Sequence, residues 1–225
     1  MHTTLSNKLP ALRATKKFAF AEYVPLFVVM FLFLVGSLSS DRFIQVNNIL
    51  NIFQYSAEPA IIAIGMMFVV LGRGIDLSVG SVMGIGNVTA ALLVAAGYPV
   101  WLSIVGAILF GAVIGLINGI LITKGKMEPI IATLATMIGA RSVIYFMTNG
   151  APLFEGIPEE FKVIAQGYFF GLPNGVLFLI IAFAGAFTVL GHTRYGRHIY
   201  AVGGSEETAG LFGIKVTWIK TSTYV

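Results

Sequence analysis

Long apolar runs alternate with short polar stretches along almost the whole chain. Apolar segments cover about residues 20–38, 57–71, 77–96, 100–122, 129–147 and 175–190, and another begins near 216. Hydrocarbon about 30 Å thick is crossed by roughly 20 helical residues. Backbone groups in lipid must be satisfied within the segment, so helices are the spanning element this pattern predicts. The expectation is an all-α polytopic membrane protein with six transmembrane helices plus the start of a seventh.

The polar punctuation refines these limits. Glu58-Pro59 suits a helix N-terminus, because proline is tolerated in a first turn and an acid favours the dipole there. That places the second span at 57–71, with residues 44–53 as a separate amphipathic helix at the interface. Gly97-Tyr98-Pro99 is a turn, and residues 149–174, with Pro152, Pro158 and Pro173, are expected to form a long loop. In the fourth span Gly111 and Gly115 form a small-xxx-small pair, continued by Asn118 and Gly119, which permits close helix approach.

One interruption differs from the others. Gly72-Arg73-Gly74-Ile75-Asp76-Leu77-Ser78-Val79-Gly80 places a charge pair, a hydroxyl and three glycines between two apolar runs. In a membrane such a break persists where it lines a cavity or faces other protein. Discontinuous helices are also where transporters tend to place their pathway. A tight surface connection between two helices is the alternative. Polar groups inside neighbouring spans, Asn87, Thr133 and Arg141, could extend a polar pathway. Arg141 near a span end is equally suited to snorkelling to the interface.

Charge sets the orientation. Of 225 residues, 57% are hydrophobic and only 11% charged, against about 25% in soluble domains. With the N-terminus in the cytoplasm, eleven lysines and arginines fall on the inside: Lys8, Arg13, Lys16, Lys17, Arg73, Lys124, Lys126, Arg194, Arg197, Lys215 and Lys220. Only Arg42 and Lys162 fall outside. The positive-inside rule therefore predicts a cytoplasmic N-terminus. The division that follows is a basic N-terminus at 1–19, a six-span region at 20–190, a cytoplasmic loop at 191–215 and a further span starting at 216–225.

The chain has no cysteine, which excludes disulfides and thiolate chemistry, and His2, His192 and His198 lack metal-ligand spacing. No metal and no bound cofactor are expected. The basic residues sit in short loops, so the net charge of +4 is not a nucleic-acid signal. No nucleophile–base constellation suggests an enzyme.

The inside segment carries a second local signal. Ser205 followed by Glu206 and Glu207 reads as an N-cap with acids in the first turn. Leu211 and Phe212 give this short helix an apolar end, and Gly213 terminates it. Such a helix suits docking into a groove of another protein, or resting on lipid headgroups.

Three stretches in order, GRGIDLSVGSVMG, PIIATLATMIGARSVIYFMTNG and RYGRHIYAVGGSEETAGLFGI, resemble the membrane subunit of ribose-type ABC importers, the monosaccharide permeases of bacteria. The resemblance covers about residues 48–220. Members of that family usually carry Gly-Gly-Ile-Asp-Leu-Ser-Val-Gly in the first motif, and Arg73 stands here where the first glycine of the pair would be. The resemblance implies a permease that translocates a ribose-like sugar across the bacterial inner (plasma) membrane. It implies a second permease copy, as a homo- or heterodimer, separate ATPase subunits and a periplasmic sugar-binding protein. Glu207-Thr208-Ala209 followed by Gly213 is similar to the coupling-loop signature Glu-Ala-Ala-xxx-Gly. On that basis Gly203, Gly204, Glu206, Glu207, Ala209 and Gly213 couple to the ATPase. Gly74, Asp76, Leu77, Ser78 and Gly80 form the pathway signature. No Walker motif GxxxxGK[ST] occurs, so hydrolysis belongs to a partner.

Family members continue with further helices after the coupling loop, so the chain is expected to be the N-terminal part of such a permease. A secondary transporter or channel is the alternative, as is a non-functional fragment of such a permease. The first would place acidic residues in the spans, which are nearly free of them apart from Glu58 and Asp76, with Glu22 at the edge of the first.

Overall fold

A computed structural model describes residues 20–153 and 156–225, which leaves the basic stretch 1–19 outside the described residues. The chain divides into two units, residues 1–49 and 50–225.

In the first unit α1 (Phe20–Ser39) is apolar almost throughout, with Pro25 inside it. Ser37 and Ser39 donate back to the carbonyls of Phe33 and Val35, each at 2.7 Å, so their hydroxyls ask nothing of the surroundings. Phe43 folds back beneath Gly36 and stacks edge-on against Phe33 at 5.5 Å.

The second helix, α2 (Val46–Leu71), is continuous, with Pro59 in its interior. This corrects the expectation of a span starting at Ala57 with a separate interfacial helix before it. Pro59 cannot donate to the carbonyl of Tyr55, so the helix continues with one bond fewer. Membrane helices tolerate such an omission.

In the second unit α3 (Val79–Ala95) lies against α4 (Val100–Thr123) and α5 (Pro129–Thr148). Pro129 opens α5 at the position where proline costs no hydrogen bond. Residues 149–174, expected as a loop, contain α6 (Glu159–Gln166) and a hairpin of β1 (Tyr168–Phe169) and β2 (Leu172–Pro173). Pro158 and the acids Glu159 and Glu160 start α6. Phe170 and Gly171, at φ 50° and 80°, make the left-handed turn that joins the two strands. Then follow α7 (Asn174–His192), α8 (Arg194–Gly204), α9 (Glu206–Leu211) and α10 (Val216–Thr223).

Helices α2, α4, α5 and α7 are long and apolar enough to cross a membrane. The apolar parts of α1 (Tyr23–Ser39) and α3 are shorter. The side chains of α4 explain where the bundle is tightest. A β-carbon at Gly111 would meet Val82 of α3 at 3.3 Å, and one at Gly119 would meet Thr221 of α10 at 2.7 Å. Gly115 leaves no room at all beneath the backbone of Tyr224. The glycine face thus receives α3 on one stretch and α10 on the next.

Candidate functional site

The break between α2 and α3 begins as a regular helix end. Arg73 N–H donates to Val70 O at 3.0 Å and Gly74 N–H to Val69 O at 2.8 Å, the paired bonds of a Schellman cap. In that cap the residue at position 73 is left-handed, and Arg73 has φ 59°. Gly74 has no room for a side chain, because Val69 and the Tyr224 hydroxyl occupy the space.

From Gly74 to Ser78 the chain is neither helix nor strand, and burial alternates residue by residue. Gly74, Asp76 and Ser78 are buried, while Ile75 and Leu77 are exposed. The polar members therefore face the protein, and the apolar members face outward.

Asp76 and Ser78 start a buried relay. Ser78 donates to Asp76 Oδ1 twice, from its backbone N–H at 2.7 Å and from its hydroxyl at 2.6 Å. Ser78 Oγ in turn accepts from Asn118 Nδ2 of α4 at 2.9 Å. Asn118 Oδ1 accepts from Thr136 of α5 at 2.6 Å. Ser78 and Asn118 are fully buried. Such groups persist in an apolar interior because each finds a partner. The relay ties the break to two neighbouring helices. Asn118 stands out in the sequence as a polar residue inside an apolar span, the one local signal that it joins such a network.

The other expected pathway residues are dispersed. Asn87 lines a cavity of about 780 Å3 between α2, α3, α6, the hairpin and α7. Arg141 reaches from α5 to Ser81 of α3, Nε to Oγ at 3.3 Å. Thr133 is buried within α5 and donates to Pro129 O of its own helix at 2.8 Å. Leu77 is exposed and Gly80 is open to its surroundings. A smaller cavity of about 340 Å3 contains Asp76 and is walled by α2, α3, α4 and residues 223–225.

The segment after α7 forms a compact amphipathic unit. Thr193 caps α8 by accepting from Gly196 N–H at 3.1 Å, and Ile199 and Val202 bury against Leu190, Ala209 and Ile219. Ser205 caps α9 by accepting from Thr208 N–H at 3.2 Å. At its far end Gly213 N–H donates to Gly210 O and Ile214 N–H to Ala209 O, with Gly213 at φ 79°. This is the same cap as at Arg73, with glycine in the left-handed place.

Ala209 is buried, while Thr208 and Glu207 are exposed. Glu206 pairs with Lys220 of α10 at 2.6 Å. Leu211 and Phe212 project from the end of α9, 83% and 84% exposed. Gly203 packs directly on the carbonyl of Leu71, the last residue of α2, whereas Gly204 is unobstructed. Through Gly203 the α8–α9 unit touches the start of the break. Among the described residues no group of three His, Cys, Asp or Glu side chains lies close enough to hold a metal ion.

Comparison with known proteins adds a family and relatives. Residues 48–225 match the family described as "Branched-chain amino acid transport system / permease component". The chain is 39% identical over 199 residues to the ribose import permease protein of Haemophilus influenzae, covering 87% of this chain and 62% of that protein. It is 37% identical over 206 residues to the ribose import permease protein of Escherichia coli K12, covering 90% and 64%. The D-allose transport system permease protein of Escherichia coli K12 is 34% identical over 182 residues, covering 80% and 56%. The chain thus spans about three-fifths of the length of the ribose permeases it matches. No solved structure matches it.

Proposed function

The chain belongs to the branched-chain amino acid transport system / permease component family, and from that membership we propose that it serves as the permease subunit of an ATP-binding-cassette importer for a ribose-like monosaccharide. Its place is the bacterial inner membrane. Six spans cross it, the N-terminus and the α8–α9 unit face the cytoplasm, and the distribution of lysine and arginine supports that orientation. A second permease copy completes the pathway, and a periplasmic sugar-binding protein delivers the solute. ATP hydrolysis belongs to a separate subunit, and this chain transports without catalysing a reaction or holding a cofactor.

The observation that carries the proposal is the construction of α9. An exposed apolar end, Leu211-Phe212, sits on a short capped helix whose buried face is anchored by Ala209 and whose neighbour α8 touches Leu71. Solvent-exposed aromatic and aliphatic side chains at one helix end are what a partner groove receives. A nucleotide-driven shift of α9 would pass through Gly203 to the end of α2 and so to Asp76. Transport follows only if the two nucleotide states favour different arrangements of that break. Ser78, Asp76 and Gly74 then act as pathway-side elements, and Asn87 and Arg141 as polar groups along it.

Reconstitution of the chain with its ATPase and binding protein in liposomes tests this reading. ATP-dependent uptake of D-ribose is expected, and it is expected to vanish in the double variant Leu211→Asp, Phe212→Asp. ATP-dependent uptake that survives both substitutions overturns the role given to α9.

A further inference from the structure

Two cavities of the second unit share a wall. Ile62 of α2 and Met83 of α3 line both the larger cavity and the smaller one that contains Asp76. The larger cavity falls within the roughly 300–1,000 Å3 range of small-molecule sites. Its polar lining includes Asn51 and Glu58 from α2, Asn87 from α3 and Gln166 from α6. Tyr168 of the hairpin and Phe178 of α7 add aromatic surface. Neither a lysine nor an arginine is among its lining residues.

We infer that the larger cavity is a binding site for a neutral, polyhydroxylated solute, and that Ile62 and Met83 form the apolar partition between it and the Asp76 chamber. The inference rests on the importer reading for the side from which the solute arrives. The chemistry of the lining selects the class. Amide and carboxylate oxygens accept from sugar hydroxyls, amide N–H groups donate to them, and aromatic side chains supply flat apolar surface for the carbon face of the ring. A zwitterionic amino acid would find Glu58 for its ammonium but neither lysine nor arginine for its carboxylate. The partition has its own logic. Two apolar side chains offer hydroxyls and ions nothing to bond to, so a narrow contact between them excludes water until helix movement separates them.

The absence of cysteine allows a direct test in the assembled complex, because a single introduced thiol is the only one on this chain. Asn87→Cys is placed in right-side-out membrane vesicles and treated with a small membrane-impermeant thiosulfonate. The expected result is labelling that D-ribose slows about tenfold at about ten times its half-protecting concentration, as mass action requires. L-leucine leaves the rate unchanged. Phe170→Cys, 92% exposed at the turn of the hairpin and outside the cavity lining, serves as the site that sugar does not protect. For the partition, Val79→Cys in the smaller cavity reacts slowly, and adding Ile62→Ala speeds it. A second site variant, Glu58→Cys, shows the same sugar protection as Asn87→Cys.

Uptake by the complex without sugar protection at residues 58 and 87 overturns the site and leaves the importer reading standing. Protection without ATP-dependent uptake upholds the site and overturns that reading. Failure of the reagent to reach either thiol, or protection by L-leucine in place of D-ribose, overturns the site as described. An unchanged rate at Val79→Cys when Ile62 is shortened overturns the partition.

Discussion

Gly203 lies so close to the carbonyl oxygen of Leu71 that a β-carbon at position 203 would overlap it. One end of α8 is thereby seated on the last turn of α2, where the break begins. The same break is held from the other side by Asn118, whose amide donates to Ser78 Oγ at 2.9 Å. A push on the α8–α9 unit meets backbone, which cannot yield as a flexible side chain would.

Gly203→Val is therefore expected to force α8 and α2 apart at a cost of about 1–3 kcal/mol, the usual scale of overpacking. Its signature is a lowered unfolding midpoint in detergent together with impaired uptake. Gly204→Ala, where nothing lies within 4 Å, is the matched control and is expected to leave both measurements near wild type.

The two Schellman caps make opposite predictions. Arg73 occupies a left-handed position that disfavours a β-carbon by about 1–2 kcal/mol, so Arg73→Gly is expected to stabilise the chain by about 1 kcal/mol. Gly213 already has the permissive residue, and Gly213→Ala is expected to destabilise by a similar amount. Thermal unfolding in detergent measures both, and the shifts should have opposite signs.

Asn118 bridges Ser78 and Thr136 in a fully buried setting. Asn118→Leu keeps the size and removes both bonds, while Ser78 keeps its bond to Asp76 and Thr136 those to the carbonyls of Ala132 and Thr133. The expected loss is about 0.5–1.5 kcal/mol for each bond removed. Protease protection of the membrane-embedded chain should fall, and fall further in Asn118→Asp, which puts a second buried carboxylate across Ser78 from Asp76.

Asp76 presents one oxygen to two donors of Ser78. Asp76→Asn retains a carbonyl oxygen there and removes the charge from the smaller cavity. Assembly is expected to be normal and uptake impaired. Asp76→Ala, which removes the acceptor as well, is expected to impair both. Normal uptake in Asp76→Asn would reduce the motif to a structural turn.

Local signals in the sequence translated well into structure. Ser205, the acids after it and Gly213 delimit α9 because a helix cap is decided within a few residues. The long apolar runs located the long helices, because a span needs about 20 apolar residues in succession. Glu58-Pro59 misled, since proline's preference for a first turn is strong while a membrane helix also carries it in the interior. The hairpin after α6 went unread because its strands are two residues each and its left-handed turn begins with Phe170 rather than asparagine or glycine. The relay from Asp76 to Thr136 joins residues up to 60 positions apart, and only packing brings them together. Arg73 shows a subtler case. A departure from the usual glycine at that place becomes intelligible once its backbone angle is known.

The proposed role of α9 as the handle of an ATPase subunit is the centre of this account, and co-purification measures it most directly. Glu207 is exposed in the first turn of α9, away from the pair that Glu206 makes with Lys220. The ATPase is expected to co-purify in detergent with the wild-type chain and to be lost from Glu207→Arg, with membrane insertion unchanged. Equal recovery of the ATPase with both chains would contradict the account.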